Sequence, residues 1–193
     1  MRSDNIDEDP KMKDPQKDIQ RKVALYARRS LAQEERASFS EKISMRISKI
    51  LMDGGRYTVL LYAAVWDEAA VRLDDRFHVS YPVIMPGYRM DAYHMPEECF
   101  VSGDHGIREP DPEKSILMHP YDFDAVIVPC VAFDEKCRRL GHGGGFYDRY
   151  LPKCENALLI AAAFEAQKID NVITDEHDVP VDMVVTEREV YSR

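Results

Sequence analysis

"AVIVPCVAFDEKCRRLGHGGGFYDRYL" (residues 125–151) runs from an apolar segment into a glycine loop and out into a segment with helical potential. The first five residues read as a buried strand. A linker then carries Phe133, Asp134 and a basic trio, Lys136, Arg138 and Arg139. Four of the nine glycines, Gly141, Gly143, Gly144 and Gly145, fall within the five positions 141–145. Strand, loop and helix in that order form the unit of an open α/β sheet, in which ligands sit beyond the carboxyl ends of the strands. Glycines let consecutive N–H groups converge on an anion without obstruction by Cβ, and a following helix adds its positive end. The loop has no G-K-[ST], so it is not a P-loop, and Phe146 stands where a dinucleotide fingerprint would place its third glycine. A tight structural turn would account for glycines alone. With Arg139, Asp148 and Arg149 adjoining, a phosphate site is the better reading.

The same pattern of short apolar runs recurs on both sides. "YTVLLYAAV" (57–65), "VSYPVIMP" (79–86), "ALLIAAAF" (157–164) and "VDMVVT" (181–186) are rich in β-branched residues and flanked by turn formers, as buried strands are. Polar stretches with helical potential, such as 68–77 and 146–153, lie between them. This alternation predicts an α/β sandwich with a mostly parallel sheet. Upstream, Asp14-Pro15 reads as an N-cap and first-turn proline opening a helix near residue 15, with Ile19, Val23 and Tyr26 at helical spacing. Ala32 to Met52 reads as a second amphipathic helix, with Phe39, Ile43, Ile47, Ile50 and Leu51 along one face and Asp53-Gly54-Gly55 ending it. Residues 1–13 are charged and aperiodic and are expected to form a disordered arm; residues 14–193 are expected to form one α/β domain.

Composition bounds the function. At 193 residues, with 45% hydrophobic and 32% charged content, the chain is long enough for a proper core. A net charge of −9 argues against a general nucleic-acid binder. No apolar stretch is long enough to span a membrane and the N-terminus lacks a signal-peptide core, so the cytoplasm is the expected location. The four cysteines (Cys99, Cys130, Cys137, Cys154) have no metal-ligand spacing with the six histidines and are expected as isolated, mostly buried thiols. Lys17 and Arg21 stand four apart, so they share a helix face. Their repulsion would be reversed by an anion between them, though a solvated basic face is the blander alternative. Asp67 and Glu68 follow a strand, where a carboxylate grips a ligand or caps a helix. His177 lies in an acid–histidine–acid string and reads as a turn residue beside Pro180.

The segment "VPCVAFDEKCRRLGHGGGFYDRYL" closely resembles the signature of the 5-formyltetrahydrofolate cyclo-ligase (methenyltetrahydrofolate synthetase) family, V-P-G-x-A-F-D-x-x-G-x-R-L-G-x-G-x-G-Y-Y-D-R. The likeness extends to K-x-x-x-R (Lys17, Arg21), the acidic strand end at Glu68, "GIREP" (106–110), "AAFEAQ" (162–167) and "HDVPVDMVVTE" (177–187), and so covers about residues 17–187. Cys130 and Cys137 replace two glycines, Phe146 replaces the first tyrosine, and "WDEAAVRL" departs from the usual E-x-x-T.

The resemblance implies a three-layer α/β/α sandwich, Rossmann-like, of the NagB/RpiA/CoA-transferase-like architecture. It further implies an ATP- and Mg²⁺-dependent conversion of 5-formyltetrahydrofolate to 5,10-methenyltetrahydrofolate with release of ADP and phosphate. On this reading Lys17, Arg21, Arg139, Gly141, His142, Gly143, Gly144, Gly145, Phe146 and Tyr147 bind ATP. Ala63, Glu68 and Tyr147 bind the folate, Asp148 is the metal ligand, and Arg139, Tyr147 and Asp148 are catalytic. The partners implied are 5-formyltetrahydrofolate and MgATP, with no nucleic acid and no membrane, acting on a monomer. Two alternatives stay open. One is a catalytically weak relative serving as a folate- or nucleotide-binding accessory protein. The other is a sugar-phosphate or acyl-transfer enzyme of similar architecture that needs no ATP.

Overall fold

The computed structural model describes residues 14–96, 98–103 and 108–193. The arm expected over 1–13, and Gly106 and Ile107 of "GIREP", lie outside the described residues. The first helix, α1 (Pro15–Arg29), begins as its sequence dictates, with the Asp14 carboxylate accepting the Gln16 N–H at 2.8 Å. The second, α2 (Gln33–Asp53), has its first turn closed by Glu35, whose side chain accepts the Ala32 N–H at 2.9 Å. Gly55, at φ +64°, then turns the chain out of the helix.

Beyond α2 come β1 (Thr58–Leu60), β2 (His78–Met85), β3 (Arg89–His94), β4 (Phe100–Ser102), β5 (Arg108–Pro110) and β6 (Ile116–Met118). After these come β7 (Ala125–Pro129), β8 (Ala132–Phe133), β9 (Arg139–Leu140), α3 (Phe146–Tyr150), β10 (Leu158–Ala162), β11 (Met183–Val185) and β12 (Val190–Ser192). Eight of the strands form one sheet in the order β12-β11-β10-β7-β1-β2-β3-β6. The five strands from β11 to β2 run parallel, and β12, β3 and β6 add antiparallel edges. The pairs β4–β5 and β8–β9 are separate antiparallel ribbons.

The parallel strands read as unbroken apolar runs because both of their faces are covered. In β7, Ala125 and Ile127 face α2, packing with Ile43, Ile47 and Leu51. Val126 and Val128 face the other side, packing with Phe133, Tyr150, Leu151 and Cys154. Along β1 the same division falls between Val59 and Leu60, and along β10 between Ile160 and Ala161. The result is a three-layer α/β arrangement whose second outer layer is thin, built from the β8–β9 ribbon, α3 and the 3-10 turn Leu151–Lys153. Pro152 sits in that turn, so the helical segment expected over 146–153 ends as α-helix at Tyr150.

Three expectations need correction. Residues 68–77 form no helix. Residues 69–74 run irregularly under α2, with Ala69 and Val71 buried, while the Ser40 and Ser44 hydroxyls accept the N–H groups of Ala70 (3.1 Å) and Arg72 (3.0 Å). The strand expected over 57–65 pairs regularly only at 58–60 and then leaves the sheet. The apolar set on α1, Ile19, Val23 and Tyr26, is exposed, and the helix instead buries Lys17, Ala24 and Arg28. Among the described residues no helix is long and apolar enough to cross a membrane. All four cysteines are free, with Cys130, Cys137 and Cys154 buried.

Candidate functional site

The carboxyl ends of β1, β7 and β10 open on one edge of the sheet, where α1, the 62–68 segment, the 139–150 segment and the 174–180 loop converge. Two buried side chains fix the backbone there. Gln167 donates to the carbonyls of Cys130 (2.6 Å) and Val131 (3.0 Å), pinning the exit of β7. Asp134 accepts the N–H groups of Lys136, Arg138 and Val172 and the Arg138 guanidinium. It thereby folds the linker into a turn that puts Cys137 at φ +58°. Cys137 occupies a glycine of the family signature, and a left-handed backbone is the condition that favours glycine there.

From this turn β9 presents Arg139, which is buried. Its Nη2 donates to Asp148 Oδ1 at 2.9 Å, while its Nε has no partner among the described residues. Asp148 Oδ1 also accepts the Val179 N–H at 3.3 Å, so one carboxylate ties β9, α3 and the 174–180 loop together. The glycine loop arches between them. Gly143 (φ +102°) and Gly145 (φ +66°) hold conformations that side chains rarely adopt, and a Cβ at Gly144 would lie 2.8 Å from the Phe146 ring. Arg21 reaches across from α1, donating through Nε to the Gly141 carbonyl at 2.9 Å and through Nη1 to Asp18 at 2.6 Å.

Glu68 reaches the same loop at His142. Its Oε1 lies 2.8 Å from His142 Nε2 and its Oε2 accepts the Val65 N–H at 3.0 Å, although the side chain is only 5% exposed. Trp66, exposed and at φ +51°, places its ring edge-on to His142 at the lip of the site. Beneath them the Tyr147 hydroxyl is buried without a partner among the described residues. Burial, and then the negative field of Glu68, push its pKa well above the usual tyrosine value. Cys130, also buried, is pushed up to about 12 by burial, so it stays a thiol at neutral pH and offers no nucleophile. Ala63 is half-buried, on the segment leaving β1.

Arg21, Arg139, Gly141 to Gly145, His142, Tyr147, Asp148 and Glu68 are thus brought together. Lys17 bonds the neighbouring 174–180 loop. Its Nζ bonds Asp175 Oδ2 at 2.9 Å and Asp178 Oδ2, beside a cavity of about 230 Å³ whose lining includes Arg139, Asp175 and Asp178. Burial alone would lower its pKa, but Asp178 and Asp175 outweigh that and raise it. Lys17 and Arg21 therefore each have acidic partners in the free protein, and no mutual repulsion waits to be relieved by an anion. Phe146 turns outward toward Tyr88, with the Arg149 guanidinium over both rings. His177 is an exposed turn residue whose N–H donates to Asp175. No group of three or more His, Cys, Asp or Glu side chains among the described residues is gathered to hold a metal ion. Sequence reasoning passed over Arg28, which is buried and paired with Asp67 at 2.7 Å. Its spacing from Arg21, seven residues along one helix face, was the available signal.

Residues 13–187 match the sequence pattern of the 5-formyltetrahydrofolate cyclo-ligase family. A 5-formyltetrahydrofolate cyclo-ligase of Mycolicibacterium smegmatis is 29% identical over 178 residues, spanning 86% of this chain and 91% of that protein. That of Haemophilus influenzae is 34% identical over 109 residues, which span 54% of this chain and 58% of the relative's length. The NMR structure of Aquifex aeolicus 5,10-methenyltetrahydrofolate synthetase superposes with a TM-score of 0.78 at 31% identity, covering 91% of this chain and 92% of that one.

Proposed function

Because the chain belongs to the 5-formyltetrahydrofolate cyclo-ligase family, we propose that it converts 5-formyltetrahydrofolate and ATP to 5,10-methenyltetrahydrofolate, ADP and phosphate. The observation that carries this reading is the convergence of Arg21, Arg139 and Glu68 on one glycine loop. Arg21 meets that loop at the Gly141 carbonyl and Glu68 meets it at His142. The formyl oxygen attacks the γ-phosphorus of ATP and the bond to ADP breaks. N10 of the folate then attacks the activated carbon, the carbon–oxygen bond breaks, and phosphate leaves with the N10 proton. Neither step needs a protein nucleophile; both need positioning and neutralisation of charge.

In this reading Arg21, Arg139 and the backbone of Gly141 to Gly145 cradle the phosphates, with His142 and Phe146 bordering them. Lys17 is presented to the outermost phosphate by its two aspartates. Glu68 accepts hydrogen bonds from the pterin, and Ala63 and Tyr147 line the same pocket. Asp148 holds Arg139 in place and leaves Oδ2 for a cation. With one carboxylate available, the donor set suits a Mg²⁺ ion carried mainly by the nucleotide, and that ion would neutralise phosphate charge. The protein works as a monomer in the cytoplasm, where its four free thiols are at home.

The test mixes protein, MgATP and 5-formyltetrahydrofolate and follows the ultraviolet band of the methenyl product against ADP released. Equal amounts of both are expected. Folded protein that yields neither refutes the reading, and product formed without ATP would favour the acyl-transfer alternative.

A further inference from the structure

Arg28 has no role in the scheme above, yet at 1% exposed it is among the largest fully buried side chains in the protein. It lies on the inward face of α1, eleven residues and about 16 Å along the axis from Lys17, and so well away from the nucleotide end of the helix. Its Nη2 donates to Asp67 Oδ1 at 2.7 Å, while Nε and Nη1 have no partner among the described residues. A guanidinium carries five N–H groups in a fixed plane, and leaving charged donors buried and unmet is costly.

The surroundings say what these donors face. Asp67 adjoins Glu68, the acid that meets the glycine loop. The Tyr62 hydroxyl and the Cys130 thiol lie within electrostatic reach of both Arg28 and Glu68. Four other buried side-chain groups have no partner among the described residues, and two of them, Arg139 Nε and the Tyr147 hydroxyl, belong to this site. Donors from α1, β9 and α3 thus lack acceptors around a site in which Asp67 and Asp148 are taken up by the two arginines and Glu68 meets the loop. Such a site complements a ligand edge that presents donors to the acid and an acceptor to the base. The pteridine edge of a folate has that pattern, an amino group and a ring N–H followed by a carbonyl oxygen.

Resting on the reading of this site as the folate site, we propose that Arg28 is a specificity-determining residue. Its guanidinium donates to the ring carbonyl oxygen of the pterin while Glu68 accepts from the neighbouring N–H groups. Asp67 holds the guanidinium in plane and balances its charge.

The test uses Arg28→Lys, which keeps the charge and can still pair with Asp67, and the charge-balanced double variant Arg28→Met/Asp67→Asn. Folate binding is read from the fluorescence of Trp66, the chain's one tryptophan, and KM is measured separately for folate and MgATP. Two ligands are compared, 5-formyltetrahydrofolate and a folate analogue with an amino group in place of the ring carbonyl. The wild type is expected to prefer the carbonyl ligand at least tenfold. Both variants should lose that preference, with the folate KM raised tenfold or more and the MgATP KM within twofold. Folded variants that keep the preference overturn the proposal, and so does a rise confined to the MgATP KM, which would assign Arg28 to the nucleotide. A lowered Tm with the preference intact leaves Arg28 a purely structural ion pair and equally overturns it. A wild type that binds folate without turnover overturns the proposed activity alone, because the Arg28 comparison is still read from binding.

Discussion

Replacing Lys17 with methionine separates the two jobs its position suggests. Methionine keeps the length of the side chain and removes the charge that Asp175 and Asp178 share. The Lys17 side chain is 7% exposed, Asp178 15% and Asp175 48%, so the cluster lies between a buried pair, whose disruption costs about 3–5 kcal/mol, and a surface pair worth about 0–1. Asp178 keeps one hydrogen bond, from the Asp175 N–H at 2.8 Å. A loss of about 2–3 kcal/mol follows, which for a chain of this size lowers Tm by about 4–12 °C.

The ligand-linked part is separate. MgATP at a hundred times its Kd stabilises the wild type by about 2.7 kcal/mol. If Lys17 makes one charge-assisted contact to phosphate, its loss raises Kd about 10- to 150-fold. The stabilisation at the same MgATP concentration then falls to between about 0.3 and 1.4 kcal/mol. Urea melts of both proteins with and without MgATP measure both quantities. Unchanged stability without ligand would refute the ion-pair cluster, and an undiminished MgATP shift would refute the phosphate role. The pH dependence supplies an independent check. Because the folded pKa of Lys17 is raised, its contribution is fully present below the ordinary lysine value of 10.5 and is lost only as pH climbs through the elevated folded value. The stability difference between wild type and variant should therefore be flat from neutral pH to about 10 and shrink above it.

Tyr147→Phe removes a buried hydroxyl that has no partner among the described residues, so stability should hold or rise by up to about 1 kcal/mol. The rate should fall at least fivefold if that hydroxyl meets the substrates, and steady-state kinetics beside a urea melt check both. Glu68→Gln can still bond His142 but loses the charge, and folate affinity should drop by about 1.5–3 kcal/mol with MgATP affinity changed by less than threefold; equal losses by calorimetry would instead indicate a collapsed loop. Gly143→Ala puts a Cβ on a residue at φ +102° in otherwise open space, 3.6 Å from the Arg21 guanidinium. It should cost about 1–2 kcal/mol and weaken MgATP at least as much as it weakens the fold, and a Gly143→Ala variant with wild-type MgATP affinity would show that the loop's shape is not used.

The parallel strands were legible because burial on both faces leaves no polar alternation to confuse the pattern, as Ala125 to Val128 illustrate. Asp14 and Gly55 announced the ends of their helices through the chemistry of capping. The edge strands β3 and β6 were not legible, since Arg89, Asp91, His94 and the exposed Ile116 and Leu117 give no consistent face. The 69–74 segment looked helical because its hydrogen-bond partners, Ser40 and Ser44, lie some thirty residues upstream. On α1, apolar periodicity pointed to the wrong face, because the sequence does not reveal that Asp67, Asp175 and Asp178 gather to neutralise the cations buried on the other. The glycine loop and Arg139 could be found by composition and resemblance. Arg28 could not, since its importance depends on a partner thirty-nine residues away in a turn that departs from the family pattern.

The way α1 is attached sets when it comes loose. Its one fully buried apolar residue is Ala24, in a small cluster with Val131, Ala132, Leu140 and Val172 against which Leu25 also packs, and its inner face is otherwise held by ion pairs and by Gln20, which bonds the backbone of Asn171 and Ile173. α2, by contrast, is clamped by Ile43, Ile47 and Leu51 on the sheet. The first helix is therefore expected to be the first cooperative unit to open, its amides exchanging with solvent through a local event far cheaper than global unfolding. Every ligand group that pairs with its inward cations adds directly to that opening energy. Substrate occupancy would then be written into the exchange rates of residues 19–29, while the amides of β7 and β10 keep the pace set by the whole protein.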